Sequence, residues 1–302
     1  MKVRIGFGLG TGAGTAKGDG DAFGELVDAL EETGFDSLWC SERVTGPAFD
    51  PLAALAYAAG RTRRLKLGTS VLVLPGRNPV VLAKEIASID VLSGGRMLPA
   101  FGLGVVDPRE QQAFGVERSE RVAWFEEALP LIRRLWCEDA VDHDGERFHM
   151  KGISVAPKPV NRALDVWLGG RAAAELRRTG RLGDGWLPSF CTPEEAAAGR
   201  EVVDAAAEAA GRAIDPEHYG ALVLYSPGPL ADAARDRLAA ARPGGDIDVV
   251  VPMGIDALRG RIEGFVGHGF SKLVVVPLAP SDPVEVAALG EAVLDLQRVV
   301  PD

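Results

Sequence analysis

Residues 65–104, LKLGTSVLVLPGRNPVVLAKEIASIDVLSGGRMLPAFGLG, carry the clearest pattern of apolar and polar positions in the chain. An apolar run over 65–74, rich in β-branched residues, stops at Pro75-Gly76. After Asn78-Pro79, the residues Val80, Val81, Ala83, Ile86, Ala87 and Ile89 recur at helical spacing until Ser93-Gly94-Gly95. A second apolar run follows over 97–104. The pattern predicts strand, helix, strand, with enough chain for the crossover that parallel strands require. Nearly continuous apolar strands are those covered on both faces.

The same unit recurs on both sides of this stretch. Residues 3–9 read as a first strand and 22–33 as a helix, with Phe23, Leu26, Val27 and Leu30 on one face and Gly34 as its stop. A second strand centres on 37–40. Helices open at Asp50-Pro51, Asn78-Pro79, Thr192-Pro193 and Asp282-Pro283, each with an N-capping side chain followed by proline where its missing N–H costs nothing. Thr192 and Asp282 also have Glu195 and Glu285 three residues on, which predicts capping boxes. Strands three and four start near Lys66 and Met97, so the first four recur about every 30 residues, the period of a βα unit.

The period then breaks. Between Gly104 and Asp165 lie an amphipathic helix over 119–136, with Phe125, Leu129, Ile132 and Trp136 on one face, and a polar hairpin over 141–154. This reads as an insertion after strand four. Strand five is expected over 166–169, a helix from Gly170-Arg171 to 179, strand six over 185–190 and a helix over 192–210. Residues 222–225 lie in strand seven, 255–266 form a helix, 272–277 are strand eight and 282–296 the closing helix. Residues 230–252 are ambiguous, and the apolar run 247–251 is set aside as a smaller insertion before the last strand. Eight βα units in one uninterrupted chain predict an α/β fold, a (β/α)8 TIM barrel forming a single domain over 1–302. A doubly wound sheet is disfavoured, because the glycine-rich segment 10–20 is not followed closely enough by a helix to be a dinucleotide fingerprint. That segment reads as a flexible loop.

Composition narrows the function. A formal charge of −10 and the lack of a basic run with interleaved aromatics argue against a nucleic-acid partner. Cys40, Cys137 and Cys191 are scattered and odd in number, which fits neither a disulfide framework nor a metal site and suggests the reducing cytoplasm. The N-terminus runs straight into a strand with no signal segment, and no apolar stretch is long enough to span a bilayer. The four histidines do not form a metal pattern, so no metal is expected.

In a barrel the chemistry belongs at the C-terminal strand ends. Glu42 and Arg43 sit together where strand two ends, either as an ion pair fixing a loop or as a cofactor or substrate contact. Gly169-Gly170-Arg171 offers backbone amides at a helix N-terminus beside a guanidinium, either an anion site or a tight βα turn. No G-x-S-x-G elbow is present, and few side chains capable of covalent chemistry gather at the strand ends. That favours a site where a bound cofactor carries the reaction on a small-molecule substrate.

The 65–104 stretch, with DVWLGG at 165–170, LGDGWLP at 182–188 and GFSKLVVVP at 269–277, resembles the luciferase-like monooxygenase superfamily over nearly the whole chain. SLWCSERVTGPAFDPL and VDPREQQAFGVERSER are similar to a branch of actinobacterial oxidoreductases that use the deazaflavin coenzyme F420. The resemblance implies a TIM barrel with the cofactor at the C-terminal mouth and a homodimer. It implies a non-prolyl cis peptide at Ser70-Val71 against the cofactor ring, a phosphate contact at Gly169-Gly170 and Arg171, and Gly104 near the cofactor tail. F420-dependent hydride transfer is the leading implication. An FMN-dependent monooxygenase is the alternative, and a non-catalytic flavin-binding protein the third. Related sugar-phosphate dehydrogenases carry Asp-His where this chain has Glu42-Arg43, and a glutamate where it has Val105. Arginine keeps its proton, so Arg43 suits holding an anion, whereas Glu42 suits proton transfer if burial raises its pKa, or else anchors Arg43. Glu42 is also placed among the cofactor contacts.

Overall fold

The computed structural model describes residues 1–11, 19–242, 245–279 and 281–299. Its strands are β1 (Arg4–Leu9), β2 (Ser37–Cys40), β3 (Lys66–Thr69), β4 (Leu72–Val73), β5 (Met97–Leu98), β6 (Ala100–Gly102), β7 (Val141–Asp144), β8 (His149–Ile153), β9 (Trp167–Leu168), β10 (Gly185–Trp186), β11 (Gly220–Tyr225) and β12 (Lys272–Pro277). One parallel sheet runs β11-β12-β1-β2-β3-β5 and another β10-β9-β6-β4. β3 and β4 are two halves of one barrel strand, and so are β5 and β6. The sheets therefore meet at strand positions three and four. Bridges Trp186↔Tyr219 and Ser189↔Leu222 join the other edges. The result is a closed ring of eight parallel positions, the expected TIM barrel.

Where β3 breaks, the Thr69 side chain replaces the ladder. Its hydroxyl donates to the Ala100 carbonyl at 2.7 Å and accepts the Ala100 N–H at 2.7 Å. Inside the ring, Trp39, Ala100, Trp167, Leu187, Val274 and Val276 pack together, with Trp39 and Trp167 edge to face at 6.3 Å between centroids. A larger apolar layer lies between the ring and its helices.

The predicted caps are present. Asp50, Asn78, Thr192 and Asp282 each accept backbone N–H groups of the following helix, and Glu195 and Glu285 complete their boxes. Gly34 ends the first helix at φ +96°, a conformation without penalty only for glycine. That helix starts at Gly20, earlier than predicted, because Asp19 caps it. Most of the predicted 10–20 loop, residues 12–18, lies outside the described residues. Asp107-Pro108 opens a further helix, Pro108–Phe114, with the same device, which the periodicity had not revealed.

The insertion after strand four holds that helix, the helix Arg121–Cys137 and the antiparallel hairpin β7–β8. The smaller insertion holds the helix Asp232–Ala241, and its apolar run becomes a short helix, Ile247–Val250. Leu224, Ile247, Val250 and Val251 form a separate cluster there, with Phe190 packed against it. The helix expected to open at Gly170-Arg171 begins at Ala173. Among the described residues, no helix is long and apolar enough to cross a membrane.

Candidate active site at the barrel mouth

The C-terminal ends of β2, β3 and β4 form one corner of the mouth. Ser70-Val71 is a cis, non-prolyl peptide bond. The Ser70 N–H donates to the Cys40 carbonyl at 2.9 Å, and the Ser41 hydroxyl donates to the Ser70 carbonyl at 2.9 Å and lies 3.2 Å from its hydroxyl. Val71 leans across the top of the ring. A Cβ on Gly102 would lie 2.5 Å from its Cγ2, and one on Gly169 would lie 3.1 Å from its Cγ1. These two glycines leave the room that the valine fills.

Glu42 and Arg43 face different partners, because successive side chains of an extended segment point to opposite sides. The Glu42 side chain is 2% exposed. Its carboxylate accepts the Val73 N–H at 2.7 Å and pairs with Arg77. Burial raises its pKa despite the attraction of Arg77. Arg77 also donates to the Val73 carbonyl at 3.0 Å and lies over the Phe114 ring. Arg43 donates to Asp107 at 2.5 Å. Arg109 and then Arg43 hold the Asp107 carboxyl down at about 2. Glu110 takes the N–H groups of Val44 and Thr45 at 3.3 and 2.9 Å and the Thr45 hydroxyl at 2.5 Å. Two sets of bonds thus fix the loop after β2, one to the turn after β4 and one to the helix Pro108–Phe114.

Next to this corner, after strand four, Gly104 sits at φ +83° with Val73 and Arg121 against it. Arg121 is 5% exposed and donates to the carbonyls of Val105 at 2.9 Å and Leu103 at 3.3 Å. Among the described residues it has no carboxylate partner within ion-pair distance. A buried guanidinium held only by carbonyls is suited to an anionic group. Further round, Gly170 is at φ +102°, and the N–H groups of Arg171 and Ala172 both donate to Glu175 Oε2, at 2.8 and 2.9 Å.

The model of the luciferase-like monooxygenase family matches residues 3–267. The chain belongs to the luciferase-like monooxygenase family. Among its relatives is an F420-dependent glucose-6-phosphate dehydrogenase of Kineococcus radiotolerans, 33% identical over 177 residues, which are 54% of this chain and 52% of that one. The chain thus matches about half the length of this relative. Two solved structures share its fold: an F420-dependent secondary alcohol dehydrogenase with an F420–acetone adduct (TM-score 0.82, 18% identity, 99% of this chain and all of that one), and the FMN-bound oxygenating constituent of 3,6-diketocamphane monooxygenase from Pseudomonas putida (TM-score 0.77, 17% identity, 97% and 96%).

For this luciferase-like chain, the structure brings together Glu42, Arg43, Ser70 and Val71 at the ends of strands two and three, with Gly104 beside them after strand four, against Val73. It corrects two readings. Glu42 does not pair with or anchor Arg43, since Arg77 and Asp107 take those places. The Arg171 and Ala172 amides do not stand free as an anion site, since an internal carboxylate, Glu175, already occupies them. Arg121 was missed. It closes the stretch 106–121 that resembles the F420 branch, and an arginine opening the helix after the strand-four glycines was the available signal.

Proposed function

We propose that the chain is an F420-dependent oxidoreductase that transfers a hydride to or from a small organic substrate at the barrel mouth. The observation that carries this reading is the mouth itself. Val71 after the cis bond, the glycines that make room for it and the buried Arg121 beside Gly104 leave a surface suited to a ring and an anion. The F420-dependent relative supports the choice of cofactor.

The residues fit such a group. Ser70 and Val71 would support its ring, with Gly169, Gly170 and Arg171 beside Val71, and Gly104 and Arg121 its charged portion. Bound F420 supplies a two-electron hydride carrier that reacts poorly with oxygen. The protein's part is orientation and charge. Arg43 keeps a fixed positive charge at the mouth, partly balanced by Asp107. Glu42, with its oxygens engaged by Val73 and Arg77, braces the bulge rather than moving a proton. The Ser41–Ser70 hydroxyl pair is a neutral hydrogen-bonding group at the same corner. A cytoplasmic homodimer belongs to the same proposal, with Leu92, 77% exposed on the helix Pro79–Ser93, among the apolar residues a second copy would cover.

The test is a fluorescence titration of the purified protein with F420 and, in parallel, FMN. The expected result is F420 binding tighter by about tenfold or more, a gap of about 1.4 kcal/mol. Preference for FMN overturns the reading and makes oxygen uptake with reduced FMN the next assay. Binding without turnover on any hydride donor or acceptor would leave a flavin-binding protein.

A further inference from the structure

A groove lies on the outside of the barrel, between the helices Arg121–Cys137, Ala173–Leu182 and Pro193–Ala209. Its volume is about 490 Å³, within the range of small-molecule sites, about 300–1,000 Å³. Alanines such as Ala174 and Ala206 floor it. The helix Ala173–Leu182 contributes three arginines, Arg177, Arg178 and Arg181, and Glu126 is the one carboxylate among the residues lining the groove. This excess of cations stands out in a chain whose formal charge is −10.

Internal partners account for two of the three arginines, and those two share one carboxylate. Arg178 is 8% exposed, lies over the Phe125 ring at 5.8 Å and donates Nε to Glu126 Oε1 at 3.3 Å. Arg181 donates to that same oxygen at 2.7 Å. Arg177 makes no hydrogen bond or ion pair among the described residues. One carboxylate oxygen therefore serves two guanidiniums and leaves the third free. Each guanidinium carries five donors. Like charges one turn apart on a helix repel by a few tenths of a kcal/mol. Among the described residues no carboxylate pairs with Arg177 to offset that, whereas a multiply charged anion lying over the alanines would reach Arg177 and the Arg178–Arg181 pair at once.

We propose that this groove is a binding site for a small polyanion, a molecule with two or more carboxylate or phosphate groups. The site does not depend on the cofactor reading. Arg181 lies in the last turn of its helix, the turn farthest from the mouth.

The test is isothermal titration of the intact protein with inorganic pyrophosphate and, separately, with citrate, at low ionic strength. One-site binding of either probe is expected, and the tighter of the two assigns phosphate or carboxylate as the preferred chemistry. Arg177→Glu should weaken binding by about tenfold or more. Arg177→Gln should weaken it less, and it serves where Arg177→Glu fails to fold. Arg63→Glu changes the net charge equally at an exposed arginine elsewhere, and it should bind as wild type. The proposal is overturned if neither probe binds, if the Arg177 variants bind as wild type, or if Arg63→Glu weakens binding as much as Arg177→Glu.

Discussion

Glu42 and Arg43 are adjacent in the chain and separate in the fold, and that separation decides what each can do. Glu42 is buried against Arg77, so removing the cation should be costly. Arg77→Met is expected to destabilise the protein by about 2–4 kcal/mol near pH 7, since it strands a buried carboxylate. Its pKa, already raised by burial, should rise further, and protonated Glu42 needs no cation. The deficit should therefore shrink as pH falls through the raised pKa toward about 4. Urea unfolding of both proteins at the two pH values checks this, and an equal deficit at both would refute the pairing. A second prediction concerns Val71. Gly102→Ala places a methyl 2.5 Å from its Cγ2, so it should weaken cofactor binding, read by fluorescence titration. Gly60→Ala, whose Cβ meets open space in a helix, should leave binding unchanged. A third follows from Glu175. Glu175→Gln keeps an oxygen for the Arg171 and Ala172 amides but removes the like charge, so a phosphate-bearing cofactor should bind more tightly. Weaker binding would exclude that turn as an anion contact.

At the scale of elements, sequence reading succeeded where local chemistry is self-sufficient. Asp50, Asn78, Thr192 and Asp282 cap helices through groups two or three residues away, so their signals are complete within a short window. The cis bond at Ser70-Val71 was legible for another reason, since it lies in a long, specific motif. The partners of Glu42 and Arg43 were not legible. Arg77 and Asp107 lie more than 30 residues downstream, and only barrel closure brings them together. The run 247–251 stayed open because a short apolar segment has no period that distinguishes strand from helix; it lies in the smaller insertion as expected and forms a short helix. The predicted hairpin 141–154 formed, and one side chain makes several of its ties to the helix Arg121–Cys137. Glu127 accepts the N–H groups of Arg147 and Phe148 at 3.0 Å and contacts His143 Nε2 at 3.1 Å. Glu127→Ala should speed amide exchange across β7 and β8, by a loss of about 1–3 kcal/mol, while β11 and β12 stay protected. Unchanged exchange in the hairpin would show that packing, including the edge-to-face pair of Trp124 and Phe148, holds it alone.

At the scale of the whole molecule, the barrel separates a mouth for chemistry from a floor for stability. The floor is where β12 begins. Lys272 is 4% exposed and donates to Asp36 at 3.0 Å, while the more exposed Lys66 reaches the other oxygen at 3.3 Å. Asp36 is lowered, because the two lysines outweigh its burial. Lys272 is lowered to about 8 from its ordinary 10.5, because burial outweighs Asp36. The two shifts describe one pair: the carboxylate has two cations, and the buried ammonium shares its one anion. Between about pH 8 and 10.5 the unfolded chain keeps a proton on Lys272 that the folded barrel has released. Stability contributed by this group must therefore rise with pH across that window, because the unfolded state binds more protons there. Lys272→Met removes the titration while filling the same space, and Lys66 remains to face Asp36. Guanidinium unfolding of the two proteins at several pH values across the window should show wild type gaining on the variant as pH rises. A constant difference would mean that Lys272 keeps its proton in the folded barrel, and the floor would then be a permanently charged triad of Asp36, Lys66 and Lys272.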